Sequence, residues 1–380
     1  MCEPIHVLHV LQRLEPAGVQ TLLLTLMQNT KMTDMQFDFL VHYKAPQSLD
    51  KAVEETGGTI YRMSVREDMN FFRYQNDLKT FFHEHRDYQI VHGHMHSLGF
   101  LYLKAAKDAG VPVRIAHAHA ERAGYGIKDM IKGVTTSHFA DNATDLLACS
   151  QKAGEYMFGS RPFTVFRNAI DTGRFRKDSE EGKAFRKELH IPPDAFVIGT
   201  AGRFSPEKNI EFGIRTFREV AKMCPDSLYL IAGDGADRGK YEALVSKLGL
   251  AGRVLFIGAR MDMHRFYNAL DIFLMPSIRE GLGIVGIEAQ SCGVPVLATE
   301  TLPEELDATN LLFRKSLTDG PKSWAQEILS IGKTPHDDMH IDEAMKRAGY
   351  DIRESARLLK EIYTSDLRRE GVANIAPYTK

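Results

Sequence analysis

The sequence predicts an α/β protein of two domains, each built on a parallel sheet. Three observations carry this. Short apolar runs of strand length alternate with stretches of helical periodicity, most clearly from Phe196 to Thr299. A length of 380 residues exceeds what one hydrophobic core usually serves. A charged stretch, Arg174 to His190, reads as a surface linker and helix separating two such series.

Composition narrows the class. The chain is 43% hydrophobic and 26% charged, with a net charge of -2, which argues against a dedicated nucleic-acid binder. Cys2, Cys149, Cys224 and Cys292 show no metal-binding spacing and fit a reduced, cytoplasmic protein. No run reaches the roughly 18 apolar residues of a spanning helix. The N-terminus lacks a basic segment before its apolar run, so no signal peptide is expected. Peripheral contact with a membrane stays open.

In chain order, Ile5 to Leu11 reads as a buried strand. The turn Leu14-Glu15-Pro16-Ala17-Gly18 leads to a helix from Val19 to Gln28, with Val19, Leu22, Leu23, Leu26 and Met27 at helical spacing. Such an opening suits a phosphate, but it lacks the G-x-G-x-x-G of a dinucleotide site. Residues 37–42 and 59–63 read as strands. Met69 to His85 reads as a helix with aromatics at Phe71, Phe72, Tyr74, Phe81 and Phe82. These form a core stripe or, alternatively, a surface for an acceptor lipid or membrane. Gln89 to His96 reads as a strand whose alternation puts His92, His94 and His96 on one side. Imidazoles are common zinc ligands, but no Cys or carboxylate completes a set locally, so they read as polar groups lining a ligand cleft. Val111 to His119 repeats the design, ending in His117 and His119. Eleven of the 15 histidines precede residue 169, which fits a first half that handles hydroxylated substrates. Leu146 to Ser150 is a further strand.

The second half opens with a buried strand, Phe196 to Ala201, running into Gly202-Arg203-Phe204-Ser205-Pro206-Glu207-Lys208-Asn209. Arg203 offers a bidentate fork and Lys208 a point charge, a pair suited to a diphosphate. Strands follow at Leu228 to Ala232 and Val254 to Gly258. A helix ends over Tyr267 to Leu270, and Asp271 to Pro276 is a short buried strand. Gly281 and Gly283 then free the backbone for close approach. A helix from about Ile284 to Ser291 is stopped by Gly293 and Pro295, before a strand from Val296 to Thr299. The N–H groups from Leu282 to Val285 are free to meet an anion, beside the two acids Glu280 and Glu288. A phosphate at the loop with a carboxylate reaching nearby hydroxyls suits a nucleotide sugar; an ordinary strand–helix turn carrying two acids is the other reading. Lys322 to Arg369 is helical, broken at Pro335, with an amphipathic stretch from Tyr350 to Tyr363.

The segment E-G-L-G-I-V-G-I-E-A-Q-S-C-G-V-P-V, from Glu280 to Val296, resembles the E-x7-E signature of the retaining GT-B glycosyltransferases of family 4. Residues 202–209 are similar to that family's G-R-x-x-x-x-K-N motif, and Gly233-Asp234-Gly235 to its G-x-G turn. Arg167 to Phe175 resembles its hinge, with Ala169 in place of the usual Gly. Ala17-Gly18-Val19-Gln20-Thr21 resembles its G-G-x-Q-x motif, with Ala17 in place of the first Gly. The members it looks most like build bacterial exopolysaccharide or capsule.

The resemblance implies a GT-B fold: two Rossmann-like doubly wound domains facing across a cleft. Residues 1–168 are then the acceptor side, 169–363 bind the nucleotide sugar, and a last helix from about 364 to 380 crosses back. The implied reaction moves a sugar from a nucleotide diphosphate sugar, UDP-sugar favoured, to a hydroxyl of a glycan or lipid-linked acceptor, with retention. It implies that Arg203 and Lys208 hold the diphosphate and assist its departure. Glu280 and the backbone of Gly281, Leu282, Gly283, Ile284 and Val285 hold sugar and phosphates, and Glu288 takes the ribose. His119, or else His117, contacts the sugar near the reacting carbon. Gly18 approaches donor phosphate or acceptor, Gly233 and Gly235 approach the nucleotide, and Arg260 or its neighbours meet the base. No metal or other cofactor is expected, and the setting is the cytoplasm, with peripheral contact at the inner membrane face. A catalytically inactive sugar-nucleotide sensor or partner is the alternative function. An NAD(P)-dependent enzyme would need the dinucleotide turn that residues 12–21 lack.

Overall fold

The computed structural model describes residues 4–15, 18–29, 34–119, 138–337 and 339–372. Pro16, Ala17 and residues 373–380, which the sequence assigns to the first turn and to the returning C-terminal segment, lie outside them. The chain divides into two compact units: Met1–Ala169 with Asp351–Lys380, and Ile170–Tyr350.

The first unit holds a seven-stranded sheet of β1 (Ile5–Val10), β2 (Met35–Val41), β3 (Ile60–Arg62), β4 (Ile90–Gly93), β5 (Val113–Ala118), β6 (Asp145–Ala148) and β7 (Thr164–Val165). Its order is β3-β2-β1-β4-β5-β6-β7, every pair parallel. The second unit holds β8 (Phe196–Ala201), β9 (Ser227–Ala232), β10 (Val254–Gly258), β11 (Ile272–Met275), β12 (Val296–Thr299) and β13 (Leu312–Lys315). They run β10-β9-β8-β11-β12-β13, again all parallel. In each sheet the winding reverses beside its first strand, between β1 and β4 and between β8 and β11. The connections diverge there, which opens a crevice at the strands' C-terminal ends.

Strands covered on both faces read as continuous apolar runs. All six residues of β8, Phe-Val-Ile-Gly-Thr-Ala, are buried. The flanking helices bury one stripe each: Ile210, Ile214, Phe217 and Val220 on the helix Ile210–Met223, for example. The aromatic helix runs Phe71–Glu84, where the Asn70 side chain accepts a hydrogen bond from the Arg73 N–H at 3.0 Å. Tyr74, Leu78, Phe81 and Phe82 face the core, while Phe71 and Phe72 are 43% and 85% exposed. The aromatic stripe therefore splits between core and surface.

Three boundaries differ from the sequence pattern for identifiable reasons. β6 stops at Ala148 because Ser150 turns out to cap the helix Gln151–Phe158, accepting from the Ala153 N–H at 3.1 Å. β4 stops at Gly93, and His96–Leu98 form a single 3-10 turn, so strand alternation does not govern His94 and His96. The chain re-enters the first unit at Asp351, well before residue 364. There Asp351 caps the helix Ile352–Arg369, whose Ile352, Ala356, Leu359, Tyr363 and Leu367 pack with Val113, Ile115 and Phe166. β13 has no alternation to announce it; its Arg314 and Lys315 are committed to Asp307 and Glu327 instead.

Candidate active site

In the second unit, the loops leaving β8 and β11 adjoin at the point of reversal. Lys208 Nζ lies 2.7 and 2.9 Å from the two carboxylate oxygens of Glu280. Ser277 Oγ donates to Glu280 Oε1 at 2.6 Å. The loops are also joined by backbone: the Ile278 N–H donates to the Glu207 carbonyl, and Asn209 Nδ2 to the Pro276 carbonyl at 3.1 Å. Both charges are largely covered, with the Lys208 and Glu280 side chains 20% and 10% exposed. An ammonium fixed in this way is a preorganised partner for an anion. The Arg203 side chain, by contrast, is exposed and makes no hydrogen bond or ion pair among the described residues.

Glycines bring these loops together. Gly233 has φ +132°, and a Cβ there would sit 2.0 Å from the Gly202 carbonyl oxygen. A Cβ on Gly235 would sit 2.6 Å from the Phe204 carbonyl oxygen. The loop after β9 thus lies directly on the Arg203 loop, bonded to it by Gly202 N–H to Ala232 O and Phe204 N–H to Asp234 O. In this structure Gly233 and Gly235 serve loop-on-loop packing.

Gly283, at φ +79°, starts the helix Ile284–Ser291 with no side-chain cap. The Ile284 and Val285 N–H groups precede the first intrahelical bond and point out at the helix N-terminus. Leu282 beside them is buried, while Gly281 is half-buried. One turn inside, Glu288 is only 9% exposed and accepts from Tyr267 Oη at 2.7 Å. Burial pushes its carboxyl up to about 7, against the opposing pull of the Tyr267 bond and the Arg174 charge. Arg260 is held in an ion network: Asp262 at 2.8 Å, Glu188 at 3.2 Å, and the Phe185 ring 4.7 Å below its guanidinium.

In the first unit, Gly18 begins the helix Gly18–Asn29 after β1. A Cβ there would make only ordinary contact, 3.5 Å from Asn168 Nδ2, so the fold itself does not demand glycine. Beside it in the sheet stands a histidine cluster. His9 on β1 meets His94 (Nδ1 to Nε2, 3.1 Å), and His94 meets His119 (Nδ1 to Nε2, 2.9 Å). His92 on β4 meets His117 on β5 (Nε2 to Nδ1, 3.1 Å) and Tyr363 Oη at 2.6 Å. His92 stacks on His94, and His117 lies tilted against His119, with ring centroids 4.3 and 3.9 Å apart. His96 turns to the His117 carbonyl and the His119 N–H. His9, His92, His94 and His117 are buried, and His119 is half-buried at the rim. The expectation of cleft-lining His92, His94 and His96 therefore gives way to an interior cluster. Burial lowers every one of these imidazoles: His9 and His117 to about 3, His96 to about 4, and His92, His94 and His119 well below their ordinary value. They are neutral at neutral pH.

Tyr267, Tyr363 and His9 have no local signature; each reads as an apolar-face residue until its partner is located. His9 shares β1 with a second histidine, His6, so its place in the strand does not set it apart.

Residues 182–348 match the family model described as glycosyl transferases group 1. EpsF of Bacillus subtilis (strain 168), a protein that carries a glycosyltransferase name, is 28% identical over 96% of this chain and 97% of its own. A UDP-Gal:alpha-D-GlcNAc-diphosphoundecaprenol alpha-1,3-galactosyltransferase of Escherichia coli is 30% identical, over 56% of this chain and 58% of its own. Among solved structures, Anabaena Alr3699/HepE in complex with UDP superposes with a TM-score of 0.78 at 19% identity, over 95% of this chain and all of that one. The structural likeness establishes the fold.

Proposed function

We propose that this chain, which has the GT-B fold and whose residues 182–348 match the group 1 glycosyl transferases, is a retaining glycosyltransferase of polysaccharide assembly. Its donor is a nucleotide diphosphate sugar, a UDP-sugar by preference, and its acceptor a hydroxyl of a glycan or lipid-linked glycan. The observation that carries this reading is the Lys208–Glu280 pair at the reversal point of the second sheet, beside uncapped N–H groups and the exposed Arg203.

The roles follow from charge and geometry. Arg203 and Lys208 take the diphosphate and stabilise the charge that develops as it leaves. Glu280 positions Lys208 and accepts from sugar hydroxyls, while the backbone from Gly281 to Val285 holds phosphate and sugar. Glu288 has one oxygen taken by Tyr267 and offers the other to the ribose. The bond from the anomeric carbon to the diphosphate breaks, and the bond to the acceptor oxygen forms on the same face. The acceptor's proton passes to the departing phosphate. Fixed cations replace a metal in this step, so none is assigned to it. His119, at the rim, is the histidine that contacts the sugar; His117 is enclosed. Gly18, which its own fold leaves free of steric demand, admits the phosphate or acceptor. Arg260 is held by carboxylates, so the base is met by its neighbours.

No helix among the described residues is long and apolar enough to cross a membrane. Met69, Phe71 and Phe72 are exposed together. They support peripheral contact at the cytoplasmic membrane face, where a lipid-linked acceptor would be met. Thermal-shift titration with UDP-, GDP-, ADP- and dTDP-sugars tests the proposal. Stabilisation by one nucleotide class, lost in Arg203→Ala, is expected. A shift undiminished by that substitution would overturn the donor assignment.

A further inference from the structure

We propose that the first unit binds a divalent transition-metal ion of the zinc class through His94, His117 and His119, with one coordination position left to an oxygen ligand. The inference goes beyond the donor chemistry above and shares one residue with it, His119, which is assigned there to the sugar and here to the ion.

The spacing comes first. One ring nitrogen from each of these three residues lies within 4.8 Å of the others. A tetrahedral ion with metal–nitrogen bonds of about 2.0–2.1 Å needs ligand nitrogens about 3.3 Å apart. The His94–His119 contact of 2.9 Å would open by a few tenths of an ångström to admit one.

The second argument is orientation. In metal sites, the ring nitrogen turned away from the ion is usually held by a hydrogen bond, which fixes the ring and its tautomer. Here His9 Nδ1 holds His94 Nε2, and His92 Nε2 holds His117 Nδ1, each at 3.1 Å. His92 is in turn fixed by Tyr363 Oη. Two ligands thus already have their outer partners.

Third, His117 Nε2, the nitrogen left over once His92 holds Nδ1, is buried and has no hydrogen-bond partner. A buried, unpaired ring nitrogen is costly, and its lone pair or proton needs an explanation. Burial also keeps all three rings in the neutral form that ligates.

A second triad, His9, His92 and His94, meets the same spacing. Physical cost decides against it. His9 and His92 are closed off from solvent, and His94 is only 9% exposed. A dication there would be buried without an anion or water. His119 is half-buried, so the chosen triad keeps a way in and a position for water or a hydroxyl. Neutral imidazoles without carboxylates select zinc, cobalt, nickel or copper and reject magnesium and calcium.

The test uses the full chain, dialysed against chelator and titrated with Co²⁺, read by visible absorption, with bound Zn²⁺ measured after gel filtration. One equivalent per chain is expected, with the absorption of a nitrogen-ligated four- or five-coordinate cobalt. His94→Gln and His119→Gln should each lower affinity at least about tenfold. His119→Gln, at the rim, guards against a variant that simply fails to fold; circular dichroism checks this. Substoichiometric metal, or unchanged stoichiometry and spectrum in both variants, overturns the proposal. A UDP thermal shift on the same samples separates the readings: UDP bound without metal sinks this inference alone, and metal bound without UDP sinks only the donor assignment.

Discussion

The two units share a winding and place opposite chemistry at its reversal point. Beside β8 and β11 stand an ammonium and a carboxylate in contact, Lys208 against Glu280, with Arg203 reaching outward. Beside β1 and β4 stand imidazoles held neutral by burial and by one another. One site is preorganised for an anion, and the other collects lone pairs. A shared backbone topology therefore sets where ligands gather and leaves the kind of ligand to side chains.

The contrast predicts opposite responses to acid. A histidine whose folded pKa is depressed binds more protons unfolded, so its contribution is present above about pH 6.5 and is lost as pH falls. By pH 5 each such imidazole costs up to about 2 kcal/mol of stability, and several are present. That approaches the whole stability of a domain. The chelated protein should lose first-unit structure between pH 6.5 and 5, followed by hydrogen exchange resolved by segment. Protection of β4 and β5 that is unchanged at pH 5 would break the comparison at its neutral side.

The charged side is tested by turnover. Arg203→Ala and Lys208→Ala should each slow transfer on the order of 10²–10³-fold, the scale for losing a preorganised charge at a departing anion. Arg203 is exposed and unpaired among the described residues, so its loss should leave the melting temperature nearly unchanged. Lys208→Ala strands Glu280 with Ser277 alone and should destabilise as well. Transfer at the normal rate in Arg203→Ala would remove the reason to call this the donor site.

Glu288 gives the second unit a pH signature opposite to that of the histidines. Its folded pKa of about 7 lies above its ordinary value, so the folded state holds the proton longer. Its stabilising contribution is present at low pH and fades as pH rises from about 4.5 to 7. Glu288→Gln, which cannot ionise, should become more stable relative to the parent across that window, by about 3 kcal/mol at most. Denaturant midpoints at pH 5 and 7.5 measure it; a difference that does not grow with pH would mean that Glu288 is ionised in the fold.

The same contrast explains what the sequence could reveal. Lys208 and Glu280 are 72 positions apart, yet each stands in a local motif with its own glycines, so both were legible before their contact was known. The parallel sheets were equally legible, because strands buried on both faces are written as aliphatic runs. The histidine cluster was not. His9, His92 and His117 lie on three strands, with His94 and His119 just beyond two of them, and these become neighbours only through the order β1-β4-β5. Alternation within one strand placed His96 with His92, while the 3-10 turn after Gly93 sends it elsewhere. Tyr363 comes from a helix 271 residues away from His92, and its hydroxyl was invisible within an amphipathic stripe. Arg260 shows the converse: a lone cation in the pattern proves to be occupied by Asp262 and Glu188.

The smallest effect concerns how the distant helix supports the neutral site. Asp351 Oδ1 accepts from the Arg353 and Glu354 N–H groups at 2.8 and 3.3 Å, capping the helix that carries Tyr363. Asp351→Ala removes that cap and should cost about 1 kcal/mol. If the helix is what holds His92 through Tyr363, amides of residues 352–369 should exchange faster in the variant, and those of β4 should follow. The helix Ile284–Ser291 starts at a glycine without a side-chain cap and belongs to the other unit, so its exchange should not change. Equal acceleration in both helices would show that the loss is global, and the support of the histidine cluster would then have to come from the sheet alone.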